Sequence, residues 1–242
     1  MTWNWFDIAW PWIGLAVALM LVVLMLATDL FRDNQAGSRW RDLVWLSWLP
    51  VPVYLIHQFE EYGIDMMGVR HSFPDAICNA LGLGSYPACP IPSLFYLAVN
   101  LPLTWIVAPI CALMSRRHPL VGLSFYGLFL ANGLIHFEPL FAGIGYRAGL
   151  LTAATLFLPL FAWMTYAVFV SRQMKWSGFG IIVATGVIMH SILNVSLLAF
   201  VKGALSANVL IAIQILNSTL FIALPLLGER LTGVKIAARQ SH

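Results

Sequence analysis

Charge is what this sequence has least of. Only 10% of its 242 residues are charged, against 60% that are hydrophobic. Soluble domains carry roughly 25% charged residues and 45–50% apolar ones. With a mean hydropathy of +0.84, this chain has more apolar surface than a soluble fold of its size can bury, whereas lipid tails solvate such surface readily. The basic residues are also scattered. No block of Lys and Arg marks a nucleic-acid surface, and the net charge is only +3. Cysteine is nearly absent, with three in the chain, so one is left odd after any pairing. No basic residue precedes the first apolar stretch after Met1-Thr-Trp-Asn-Trp-Phe-Asp7, so that stretch is expected to be a retained helix, not a cleaved leader.

A spanning helix needs about 20 mainly apolar residues. Seven candidate segments are present, at 8–30, 43–62, 93–115, 119–142, 149–170, 178–201 and 206–227. The expected fold is all-α, a single transmembrane bundle over 1–242 with no repeat and no soluble domain. Basic residues favour the cytoplasmic side. Arg32, Arg39, Arg41, Arg116, Arg117, Arg172, Lys175, Arg230, Lys235 and Arg239 fall on one side of such a bundle, and Arg70, Arg147 and Lys202 on the other. This asymmetry predicts an external N-terminus, a cytoplasmic C-terminus and an extracytoplasmic 63–92 loop. Cys78 and Cys89 lie in that loop, with Gly82, Gly84 and Pro87 between them, and an oxidising compartment lets them pair. Cys111 reads as a packing residue inside the third span. Trp3, Trp5, Trp10 and Trp12 read as an interfacial belt.

Ionisable residues inside spans are expensive, and by default they point to function. The second span ends His57-Gln58-Phe59-Glu60-Glu61, the fourth contains Asn132 and His136 followed by Glu138-Pro139, and the sixth contains His190 and Asn194. Glu60 and Glu61 straddle the face of His57, and each His/Asn pair is four residues apart on one face. At about 1.5 Å of rise per residue, His57 and His136 lie roughly 8–9 Å below the outer ends of their spans, with Asn194 at roughly 10 Å and His190 at roughly 16 Å. Asn100 and Gln214 fall into the same outer layer from two other spans, though with Asn217 they read better as packing bonds.

Three histidines with two or three carboxylates match a zinc or non-haem iron site. A divalent cation offsets buried carboxylate charge. The candidate ligands are His57, Glu61, His136 and His190, with Glu60 or Glu61 as general base on a metal-activated water. Asn132, Asn194 and Glu138 are candidates to orient the ligands. Each group also has a plainer reading: carboxylates wetted at the interface, or His/Asn pairs bonding helix to helix.

The run His57-Gln58-Phe59-Glu60-Glu61 resembles the family named for its HXXEE motif, and Asn132–His136 and His190–Asn194 are similar to its later polar blocks. The resemblance covers roughly the second to the sixth span. It implies a bacterial integral membrane protein, with no settled reaction. A looser likeness to seven-helix zinc hydrolases of the alkaline ceramidase and adiponectin-receptor type stops short of kinship, because the last span here has no histidine. That span also lacks the lysine of a retinal protein.

The leading expectation is therefore a membrane metalloenzyme acting on a lipid or hydrophobic small molecule, hydrolytic more than oxidative. It would partner membrane lipids and not nucleic acid. A metal-free acid/base enzyme resembling emopamil-binding sterol isomerases stands second. A ligand-binding or transport protein stands beside it, disfavoured by the lack of repeated halves.

Overall fold

The computed structural model describes residues 4–86 and 88–233. Trp3, Pro87, Lys235 and Arg239 lie outside the described residues. The described chain is helical throughout, its only extended pairing being an isolated bridge between Ile64 and Arg70.

Five helices are long and apolar enough to cross a membrane: α1 (Trp5–Ala27), α5 (Ser93–Met114), α6 (Pro119–Phe141), α7 (Leu150–Val170) and α8 (Trp176–Val201). That is the signature of a membrane protein. A sixth candidate is the pair α9 (Ala207–Ser218) and α10 (Leu220–Thr232), bent by 43°. The chain's start shows how local chemistry sets an element. Asn4 accepts from the amides of Phe6 and Asp7, and Asp7 accepts from the amide of Asn4, closing a capping box.

The segment 43–62 departs from the prediction. It forms two short helices, α2 (Leu43–Trp48) and α3 (Pro50–Tyr62), of 6 and 13 residues, neither long enough to cross a membrane alone. Pro50 and Pro52 lack the amide that would continue the ladder. The carbonyl of Leu46, which Pro50 leaves unpaired, accepts instead from the hydroxyl of Tyr126 on α6 at 2.9 Å. A freed carbonyl in an apolar interior needs such a partner. This segment is also the most enclosed in the bundle, with nearly every α3 side chain buried.

The 63–92 connection is not plain loop. It carries α4 (Ser72–Ala80), anchored by a Cys78–Cys89 disulfide with 5.9 Å between Cα atoms. Trp10 is not part of an interfacial belt, since it is 2% exposed and packs on Tyr62, whereas Trp5 is 76% exposed.

The connections gather at two ends. At one, Arg116 pairs with Asp33 at 2.7 Å, Gln173 bonds the carbonyl of Arg41, and His118 meets Glu229 at 2.8 Å. At the other, Tyr146 accepts from the amide of Met66 and donates to Glu60. The functional residues lie toward this second end.

Between the two, α6 and α8 come into backbone contact. A Cβ on Gly127 would lie 1.9 Å from the carbonyl oxygen of Ile182, and one on Gly186 would lie 2.1 Å from the backbone of Gly127. Small residues let spanning helices approach this closely. The crossing fixes the rotation of the helices that carry His136 and His190.

Candidate metal centre

Helix α3 presents His57 and Glu61 one turn apart, and α6 brings His136 to the same point. All three are buried, at 0%, 5% and 6% exposure. Glu61 Oε1 lies 3.4 Å from His57 Nε2 and 3.4 Å from His136 Nε2. The three ligand atoms fall within 4.8 Å of one another. A spacing of 3.4 Å is long for a hydrogen bond, which for N–H···O runs to roughly 3.2 Å. It is the separation of neighbouring ligand atoms on a tetrahedral ion with bonds of roughly 2.0–2.2 Å. His136 Nε2 is buried with no hydrogen-bond partner among the described residues. A buried, orphaned imidazole nitrogen facing a carboxylate at this distance fits a cation between them. The group can hold a metal ion.

The other nitrogen of His57 is held from behind. Nδ1 lies 2.6 Å from Thr152 Oγ1, whose hydroxyl is 2.5 Å from Glu60 Oε2. Asn132 Nδ2 sits 3.2 Å from His57 Nε2. The Glu60 carboxylate only accepts, so the Thr152 hydrogen goes to it and the Thr152 oxygen accepts, which puts the His57 proton on Nδ1 and leaves the Nε2 lone pair. His57 Nδ1–H thus donates to Thr152, and Thr152 donates to Glu60. Metal-binding histidines are oriented in this manner, their outer N–H given to an acceptor.

The motif's two carboxylates therefore face different ways. Glu61 faces the imidazoles. Glu60 caps the start of α7: Oε1 accepts from the Tyr146 hydroxyl at 2.8 Å and the Leu151 amide at 3.0 Å, and Oε2 from the amide and hydroxyl of Thr152. The positive end of a helix dipole and four donors stabilise this anion without a metal. Burial, with the Glu60 carboxylate beside it, pushes the Tyr146 hydroxyl above the usual phenol range, so it remains a donor.

His190, Asn194 and Glu138 do not join the compact trio. They line a cavity of about 520 Å³ that also reaches Glu61, Asn132 and His136. Asn100, Gln214 and Asn217 tie helices together. The Gln58 amide donates to Asn100 and Thr104, Gln214 donates to Ser196, and Asn217 donates to the carbonyl of Met189. The polar layer is thus divided into a compact trio, a cavity wall and a set of packing bonds.

Thr152, Tyr146 and Gly149 carry no motif that marks them in the sequence. Gly149 has φ +93°, and a Cβ there would lie 2.1 Å from His136 Cε1. Gly149→Ala is expected to lower stability by about 1–3 kcal/mol through backbone strain alone, with the displaced ring adding to it. A thermal melt against wild type checks this, and an unchanged midpoint would contradict the contact.

The fold and site together define a helical membrane protein with a buried His–Glu–His group. Residues 48–164 match the family model described as "Protein of unknown function with HXXEE motif". The chain thus carries an HXXEE segment, and that segment contains His57, Glu61, His136 and also Thr152. It ends before His190 and Asn194. No curated protein and no solved structure matches the chain.

Proposed function

We propose that this protein is a membrane-embedded metalloenzyme acting on a lipid or another hydrophobic small molecule. The observation that carries the reading is the 3.4 Å spacing of Glu61 from two buried imidazoles, with Glu61 and His136 on the wall of a largely apolar cavity. His57, Glu61 and His136 are the ligands. An ion with three protein ligands keeps a position for substrate or water, as catalytic zinc sites do, and supplies Lewis acidity there. Glu60 and Thr152 fix the tautomer of His57. Asn132 faces the same nitrogen, and His190 and Asn194 face bound substrate. Hydrolysis is favoured over oxidation, because three histidines are few for a membrane oxidase. The chain crosses the bacterial inner membrane seven times, with α2 and α3 as one broken crossing and α9 and α10 as another. Its N-terminus is outside, and the site lies in the outer-leaflet half.

The test is the metal content of untagged protein purified in mild detergent, read by elemental mass spectrometry beside a His57→Ala/Glu61→Ala double variant. Near-stoichiometric zinc or iron in the wild type alone supports the reading. Absence of metal after supplementation with both ions removes it. Thr152→Val is expected to weaken metal binding roughly 10–100-fold, whereas Thr152→Ser preserves it; a zinc titration in competition with a chelator reads the difference. An equal affinity in all three would show that the hydroxyl orients nothing.

A second reading has one specific support. The unbroken chain His57–Thr152–Glu60 also suits proton transfer by a metal-free isomerase, with His57 as the acid/base group.

A further inference from the structure

The cavity beside the trio contains two charged side chains that the chemistry above does not use. Glu138 stands near the end of α6, and Arg147 follows in the connection to α7; both line the cavity. Neither side chain has an ion-pair or hydrogen-bond partner among the described residues. Other charged side chains near the helix ends, such as Arg117, Arg172 and Lys202, also have no such partner, but they do not line the cavity, as Glu138 and Arg147 do. A cation and an anion left open on one cavity wall are complementary to a ligand carrying both signs.

The rest of the wall is apolar. Phe95, Val99 and Leu103 on α5 face the cavity with Ile77 and Leu81 of the α4 region. Ile135 on α6 and Leu198 on α8 line it too, and they are 39% and 44% exposed. Both lie beyond the Gly127–Gly186 crossing, Ile135 by about 12 Å at about 1.5 Å of rise per residue. The exposed apolar side chains of the cavity wall are thus carried by these two helices. At about 520 Å³ it falls within the roughly 300–1,000 Å³ of small-molecule sites.

We infer that the cavity binds a single-chain amphiphile with a zwitterionic headgroup, entering laterally between α6 and α8. Arg147 binds its phosphate or carboxylate, and Glu138 binds its ammonium. The chain lies along α5 and α4, and the linkage between head and chain comes to Glu61 and His136. The inference names the substrate class of the proposed metalloenzyme and rests on that reading for its chemistry, though not for its binding.

The experiment is native mass spectrometry of the full, untagged chain with four probes: palmitoyl lysophosphatidylcholine, palmitate, monopalmitoylglycerol and phosphocholine. Wild type, Arg147→Gln and Glu138→Gln are compared. The expected result is preferential binding of the lysolipid, weakened about tenfold or more by each substitution, since each removes one charge-assisted contact. Monopalmitoylglycerol binding stays the same in all three proteins, which also shows that the variants fold. Equal binding of monopalmitoylglycerol and lysolipid by wild type would overturn the inference, as would a preference for palmitate. Phosphocholine binding as tightly as the lysolipid, or variants that bind the lysolipid as wild type does, would overturn it equally. Metal content is read on the same samples. A metal-free protein that still selects the lysolipid counts against the metalloenzyme reading alone.

Discussion

Glu61→Gln is expected to leave a folded protein that no longer holds metal. Glutamine matches the shape of Glu61 and removes only its charge. Two neutral imidazoles would then face a divalent cation with no anion beside it in an apolar wall. Removing one partner of a buried charge pair costs roughly 3–5 kcal/mol, so affinity should fall by a factor on the order of 10²–10⁴. Glu60 cannot substitute, because its oxygens are engaged by Tyr146, Leu151 and Thr152. Thermal melts separate this from misfolding. Zinc should raise the midpoint of wild type and leave that of Glu61→Gln unmoved. In metal-free buffer the variant should still melt cooperatively, which separates lost metal from lost fold. Retention of metal by the variant would remove Glu61 from the site.

The second large effect belongs to the α6–α8 crossing. Gly127→Ala is expected to abolish the compact fold or cost more than about 4 kcal/mol, the range reached by severe core disruption. Its new methyl would meet backbone, at 1.9 Å from the Ile182 carbonyl oxygen, and backbone cannot swing aside as a side chain can. Gly180→Ala is the control, because a Cβ there meets nothing within 4 Å. It should be neutral, or stabilising by up to about 1 kcal/mol through helix propensity. The readouts are the yield of monodisperse protein and the melting midpoint. Equal behaviour of the two variants would contradict the crossing.

Much of this architecture was legible in the sequence, because hydropathy over about 20 residues follows directly from bilayer thickness. The breaks were harder to read. Pro50 and Pro52 lie in an apolar run, and the partner for the carbonyl that Pro50 frees, the Tyr126 hydroxyl, comes from another helix. Helix α4 is too short to stand out in a loop. In the site, the i,i+4 relation of His57 and Glu61 was visible as helical geometry, and His136 followed from its depth. Which carboxylate faces the imidazoles was not visible, because the choice depends on α7 presenting its N-terminus to Glu60. Thr152 was missed for the same reason, as a lone threonine in an apolar span reads as filler. His190 was expected among the ligands. It lies on the cavity wall, since helix rotation is set by the Gly127–Gly186 contact and spacing along the chain does not report it.

X-ray absorption at the edge of the bound metal tests the central claim most directly. A first shell of two imidazoles and one carboxylate oxygen at about 2.0–2.2 Å, losing one imidazole in His136→Ala, is the predicted result. A shell of oxygens alone, a sulfur ligand, or a spectrum unchanged by His136→Ala would contradict it.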